Sequence, residues 1–214
     1  MHFSTWLAFL SVSLVACFSP GPGVLLAISN AMSQGTRRAL VSSSGNALGI
    51  CFVAGVATIG LGAVLKTSAT LFVALKIAGA GYLIYLGIRQ WTSNGARLAA
   101  AAEGVAALPE KSPGQLFREG LWVAITNPKT ILFFTALFPQ FMHAEGAPFA
   151  QFLVLTATFV CCSLLSHFVF VVLARRARTW FESERGVQRL NRGAGAMFVL
   201  LGLGLLGLRR TQGS

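Results

Sequence analysis

The sequence has 214 residues, 55% of them hydrophobic and only 11% charged, with a mean hydropathy of +0.70 and a formal charge of +11. A soluble domain carries about 25% charged residues, so the polar side chains here are too few to coat a water-facing globule and lipid must cover part of the surface. The positive balance does not point to nucleic acid, because Lys and Arg gather at the ends of apolar stretches, where membrane insertion favours them, and the only acids are six Glu.

A membrane-spanning helix needs about 20 mostly apolar residues, and six stretches meet that need. Helix 1 is expected over residues 4–30, inside a run without Lys, Arg or Glu that reaches Thr36. Within it, Leu14-Val15-Ala16-Cys17 has the look of a lipoprotein cleavage box, but Met1-His2 lacks the basic residues of a signal peptide and the apolar pattern runs on to Ile28. An uncleaved first span is expected. Helix 2 is expected over 39–65 and helix 3 over 70–88, crossed only by Lys76. A polar linker containing Pro109 and Pro113 follows. Helix 4 is expected over 117–138, interrupted only by Lys129, helix 5 over 149–173 and helix 6 over 191–208. The sixth is the shortest and needs Arg192 to snorkel or the bilayer to thin; without one weak helix the chain would have five spans.

Orientation follows from the basic residues. Twelve lie in the loops after helices 1, 3 and 5, six of them between Arg175 and Arg192, against three (Lys66, Arg209, Arg210) on the other side. Positive loops stay in the cytoplasm, so both termini are expected in the periplasm. The four cysteines (Cys17, Cys51, Cys161, Cys162) all fall in apolar runs without a Cys-x-x-Cys pair. They read as buried apolar thiols, neither a disulfide framework nor a zinc site.

The prolines carry the most information. Proline inside a helix removes a donor and clashes with the preceding turn, and within a bilayer the freed polar groups must face protein or a watery cavity. Helix 1 contains Ser19-Pro20-Gly21-Pro22-Gly23 and helix 4 contains Asn127-Pro128-Lys129, each near mid-span. Each motif offers an N-cap residue type, Ser19 or Asn127, followed by proline at the first helical position, so each reads as the start of a second half-helix. Pro20 and Pro128 are 108 residues apart, and shifting helix 2 by that offset gives 147–173, which matches helix 5. Three spans per half is odd, so the second half inserts upside down. The expected fold is an all-α integral membrane protein of six transmembrane helices: a first three-helix repeat (1–92), a cytoplasmic linker (93–115) and an inverted second repeat (116–214), with helices 1 and 4 broken. Inverted repeats with discontinuous helices point to a transporter's central site. Prolines that merely kink packed helices are the alternative.

A half-helix start exposes unpaired N–H groups and the positive end of the dipole, which suit a carboxylate. Lys129 stands beside one such start, where a bare ammonium costs about 3 kcal/mol or more. Glu119, ten residues before it, is about 15 Å away on a straight helix and cannot pair with it. Lys76 either joins the site or snorkels. Asn46, within Gly45-Asn-Ala-Leu-Gly49, serves helix packing first and ligand contact second. His167, deep in helix 5, is either a packing residue or a proton carrier. Gln140 is expected to cap helix 4, and Gly79, Gly81, Gly202, Gly204 and Gly207 read as packing positions.

These residues resemble the lysine exporter and homoserine/threonine resistance (LysE/RhtB) family of bacterial transporters. The likeness rests on Ser19-Pro-Gly-Pro22, Leu75-Lys-Ile-Ala-Gly-Ala-Gly-Tyr-Leu83 with Gly87, Phe117-Arg-Glu-Gly120, Asn127-Pro-Lys129, Phe133-Phe134 and Pro139-Gln-Phe141, and it covers nearly the whole chain. It implies proton-driven export of amino acids or similar small metabolites across the bacterial inner membrane. It marks Pro20, Gly21, Pro22, Asn127, Pro128 and Lys129 as the functional core, with Lys76 at a position often basic in the family. The substrate-binding set is then Ser19, Pro20, Gly21, Pro22, Gly23, Asn46, Lys76, Asn127, Pro128 and Lys129, with His167 as the proton-coupling candidate. The expected partners are an amino acid, protons and the bilayer, with a homo-oligomer left open; no cofactor, metal, nucleic acid or enzymatic activity is expected. A metal exporter of similar architecture is the alternative, but metal passage wants convergent His, Asp, Glu or Cys, and only His167 and scattered thiols are on offer. A thiol–disulfide carrier would need a Cys at both breaks, and helix 4 has none.

Overall fold

The computed structural model describes residues 1–65, 69–92, 109–142, 147–176 and 184–207, and every element among them is helical. In chain order these are α1 (Phe3–Phe18), α2 (Pro22–Ser33), α3 (Thr36–Leu65), α4 (Ala69–Trp91), α5 (Pro113–Thr126), α6 (Pro128–Leu132), α7 (Pro148–Arg176) and α8 (Glu184–Gly207). Most of the linker, residues 93–108, lies outside the described residues, as do the surroundings of Gly207. Within α3 and α7, Thr36–Ile59 and Pro148–Leu173 are each long and apolar enough to cross a membrane. The pairs α1/α2 and α5/α6 meet the same requirement jointly, each bent at its break, by 51° and 49°. That gives two such helices among the described residues, or four if each bent pair is one span.

The outward faces agree with a lipid solvent. Phe52, Val56 and Ile59 on α3, Leu165 and Phe168 on α7, and Leu200 and Leu203 on α8 are all exposed, an apolar skin too extensive for a protein bathed in water. Cys51 and Cys161 belong to this skin, while Cys17 and Cys162 are buried. The expectation of four buried thiols therefore fails for two. Neighbours on a helix point about 100° apart, so Cys161 and Cys162 cannot share an environment.

Both proline motifs break their helices, but not identically. In the first, Ser19 closes α1 and does not open α2, its N–H donating to the Val15 carbonyl at 3.0 Å. The new helix starts two residues later, with Gly21 extended (φ −142°, ψ −177°) and Pro22 in the first turn. The expected N-cap role of Ser19 is thus corrected: Pro20 and Pro22 both lack an N–H, and only the second is followed by a residue whose amide finds a helical partner, Leu25 N–H on Gly21 O at 2.9 Å. In the second motif Asn127 behaves as expected, its side chain accepting from the Lys129 N–H at 3.0 Å with Pro128 in the first turn. Beyond α6 the winding loosens to a π turn over Phe133–Leu137 and tightens to a 3-10 turn over Phe138–Phe141 that contains Pro139. Gln140 Nε2 donates to the Ala136 carbonyl at 2.7 Å, serving a group that the change of winding leaves open.

Two seams hold the bundle. Along the first, α3 lies on α5 backbone to backbone: a Cβ at Gly45 would collide with the Phe117 carbonyl, one at Gly120 with Ser42 O, and one at Gly49 would fall 2.7 Å from Leu121 O. Along the second, α4 meets α8, where a Cβ at Gly87 would lie 2.7 Å from Gly195 O and one at Gly202 2.9 Å from Ala80 O. Small residues let apolar helices gain dispersion contact where lipid offers no hydrophobic drive. Gly79 is a packing position too, against Ala136 and Gln140, but Gly81 and Gly204 face open space. The remaining core is aromatic. Phe9 of α1 meets Phe133, Phe138 and Phe141 edge-on, and Phe133 lies 4.4 Å centroid to centroid from Phe159 of α7.

The seams make a graded prediction. Gly120→Ala should destabilise the folded protein by about 3 kcal/mol, the upper end of ordinary overpacking. Gly81→Ala should be neutral or stabilising by up to about 1 kcal/mol, from helix propensity. Thermal unfolding in detergent, followed by tryptophan fluorescence, checks both.

Candidate functional site

The two breaks face each other. Opening α1 exposes its last carbonyls, and two carbonyls at the break find donors from elsewhere in the chain. Ser166 Oγ of α7 donates to Cys17 O at 2.7 Å, and Lys129 Nζ of α6 donates to Ser19 O at 2.8 Å. A cation at the C-terminal end of a helix also answers the negative end of its dipole. The Lys129 ammonium further lies 5.8 Å from the Phe198 ring centroid, on α8, within cation–π range. Three separate helices, α1, α6 and α8, thus meet at this side chain. Glu119 does not compensate it, being bonded instead to Lys111 at 2.9 Å.

Two cavities flank the Lys129–Ser19 bond, and Ser19, Gly21, Asn127 and Lys129 line both. The smaller, about 50 Å³, is also lined by Asn46, Ser163 and His167, and has room for a water or two or for the end group of a ligand. Gly23 belongs to it because a Cβ there would come 3.1 Å from Asn46 Oδ1 and 3.4 Å from His167 Nε2. His167 is buried with no partner for Nδ1 among the described residues. The larger cavity, about 340 Å³, runs from Pro20, Pro22 and Pro128 to Arg89 and Gln90 at the end of α4 and Asn191 of α8, with Tyr82 and Tyr85 along one wall. Gln90 Nε2 donates to Asn191 Oδ1 at 2.7 Å across that end.

The predicted set therefore converges with one exception. Ser19, Pro20, Gly21, Pro22, Gly23, Asn46, Asn127, Pro128, Lys129 and His167 all line one cavity or the other; the side chain of Lys76 lies outside the described residues. The two half-helix starts, both expected to leave amides free, differ. The Gly21 cap of α2 gives no side-chain bond, whereas Asn127 consumes the Lys129 amide at α6. Sequence reasoning missed Tyr82, Tyr85, Arg89, Gln90, Asn191 and Phe198. Arg89 was legible only as a loop charge, and the others lie on helices whose pairing no local pattern reveals.

No group of three or more His, Cys, Asp or Glu that could hold a metal ion occurs among the described residues, and no acid lines either cavity. The arrangement offers one cation, open amides at α2, and neutral acceptors such as Asn46 Oδ1. It suits a small guest with a carboxylate and an ammonium.

Removing the cap tests the second break. Asn127→Ala should cost about 1 kcal/mol of stability and Asn127→Ser little, as read by thermal unfolding of the purified protein.

The family model described as LysE type translocator matches residues 14–208. A homoserine/homoserine lactone efflux protein of Salmonella typhimurium is 34% identical over 202 residues, covering 94% of this chain and 96% of its own. The protein of the same name from Salmonella typhi matches equally, at 34% over 202 residues. An uncharacterized membrane protein of Vibrio cholerae is 34% identical over 206 residues, covering 96% of this chain and 97% of its own. No solved structure matches the chain.

Proposed function

This chain belongs to the LysE type translocator family, and we propose that it exports an amino acid or a closely related small metabolite across the bacterial inner membrane, driven by the proton gradient. The observation that carries this reading is the bond from Lys129 to Ser19 O, which brings two interrupted helices together between two cavities. Irregular backbone at membrane depth is tolerated where it lines a watery space, and such breaks are where transporters hold cargo.

In this reading α1/α2, α3 and α4 are the first three spans and α5/α6, α7 and α8 the inverted second three. The contacts support the inversion. α3 packs on the broken α5, and its counterpart α7 packs on the broken α1/α2, while α4 and α8 pair with each other. The basic loops then lie in the cytoplasm and both termini in the periplasm. The larger cavity runs toward Arg89, hence toward the cytoplasm, and its 340 Å³ falls in the range of small-molecule sites.

Cargo would place its carboxylate toward the start of α2 and Lys129, with its ammonium on neutral acceptors. With no acid among the described residues of either wall, a cationic side chain would go unpaired, so a short aliphatic or hydroxylated amino acid fits best. The Salmonella relatives, named for homoserine and its lactone, support that class. His167 and Lys129 are the titratable groups available for proton coupling, Arg89 being permanently charged. The metal-exporter alternative gains no support from the residues present.

In cells preloaded with radiolabelled homoserine, Lys129→Met should bring net export down to the rate of cells lacking the protein, with the same amount of protein in the membrane fraction. Export at the normal rate by that variant would refute the assignment.

A further inference from the structure

We infer that Lys129 is the proton carrier of the exchange, its ammonium occupying in the empty protein the place that the cargo's amino group takes during export. This rests on the proton-driven export proposed above and adds where the coupling resides.

Ser19 O is the open acceptor at the end of α1, and an ammonium already sits on it at 2.8 Å. The cargo's own ammonium is the same chemical group seeking the same acceptor. The groups facing Lys129 are Cys17 from α1 and His167 from α7 across the smaller cavity, and Tyr82, Tyr85 and Arg89 from α4 across the larger. Among the described residues no carboxylate faces it, and Arg89 adds a further positive charge. The nearest acid on the same segment, Glu119, is held by Lys111. With the cargo's carboxylate taken up by the open start of α2 and no carboxylate of the described residues beside them, two ammonium groups at one carbonyl repel each other. Lysine is the residue that resolves such a conflict by losing its proton.

The cycle balances without covalent change to the cargo. On the Arg89 side the cargo ammonium takes Ser19 O, Lys129 passes from –NH3+ to –NH2, and the proton leaves through water in the larger cavity. On the other side the cargo departs, Lys129 –NH2 takes a proton from water there, and the ammonium returns to Ser19 O. One proton enters for each cargo molecule exported. A zwitterionic amino acid therefore moves one net positive charge inward per cycle. A lactone or ester, carrying the ammonium and no carboxylate, moves none.

The test uses the whole protein in proteoliposomes with radiolabelled homoserine, read as exchange at equal pH and as accumulation driven by a pH difference. For Lys129→Gln, exchange should persist with a half-saturation raised severalfold and should no longer vary with pH, while pH-driven accumulation falls to the level of empty liposomes. For the unmodified protein, an imposed membrane potential should drive homoserine and leave homoserine lactone unaffected. Accumulation by Lys129→Gln that still follows the pH difference would overturn the inference, as would loss of its exchange together with its coupling. Equal voltage dependence for the two cargoes would overturn it without any variant. If the unmodified protein exchanged no homoserine at all, the proposed export would fall instead.

Discussion

A backbone group freed inside lipid must be satisfied by the protein itself or by trapped water, and each proline break in this chain frees several. Ser166 serves Cys17 O, Lys129 serves Ser19 O, and the Asn127 side chain serves the Lys129 amide. The first two bonds reach from one broken segment to another or to a neighbouring helix, and the third closes the second break on itself. The breaks could not be set apart in the bundle without leaving Ser19 O and the Lys129 ammonium bare, so the same requirement that makes them costly brings them together. The cavities are what remains between chain segments drawn in by a few polar bonds and held off by proline rings.

The chemistry of that space follows from what is missing as much as from what is there. With no acid among the described residues of either wall, the ammonium of Lys129 is stabilised by a carbonyl, a helix dipole and the face of Phe198. These suffice for one cation and not for two. The cavity is therefore responsive to the charge of whatever enters it, which a site with a fixed Lys–Glu pair would not be.

Much of this was legible in the sequence because proline and charge leave local marks. Pro22 and Pro128 break their helices, and the uncharged runs gave the helices to within a few residues at most ends. The place where α2 begins was misread. Ser19-Pro20-Gly21-Pro22 contains two prolines, either of which could head a helix, and the choice rests on the extended backbone at Gly21. The glycines were all read as packing positions, but Gly79 and Gly81 look alike in sequence while only Gly79 meets a neighbouring backbone. Arg89 and Asn191 share a cavity because α4 and α8 pair, a long-range fact that no spacing encodes.

The glycine seams have a mechanical consequence. Helices joined carbonyl to Cα, as at Gly120 on Ser42 or Gly195 on Gly87, cannot slide or rotate past each other without backbone collision. Any rearrangement must pass between the riveted pairs and not through them. Each rivet fastens a helix from the front of the chain to one from the back, α3 to α5 and α4 to α8. The bodies free to rock are thus composites of both ends of the polypeptide, and a hinge that respects them runs across the gene order, past Gly21 and Asn127, where the helices are already severed.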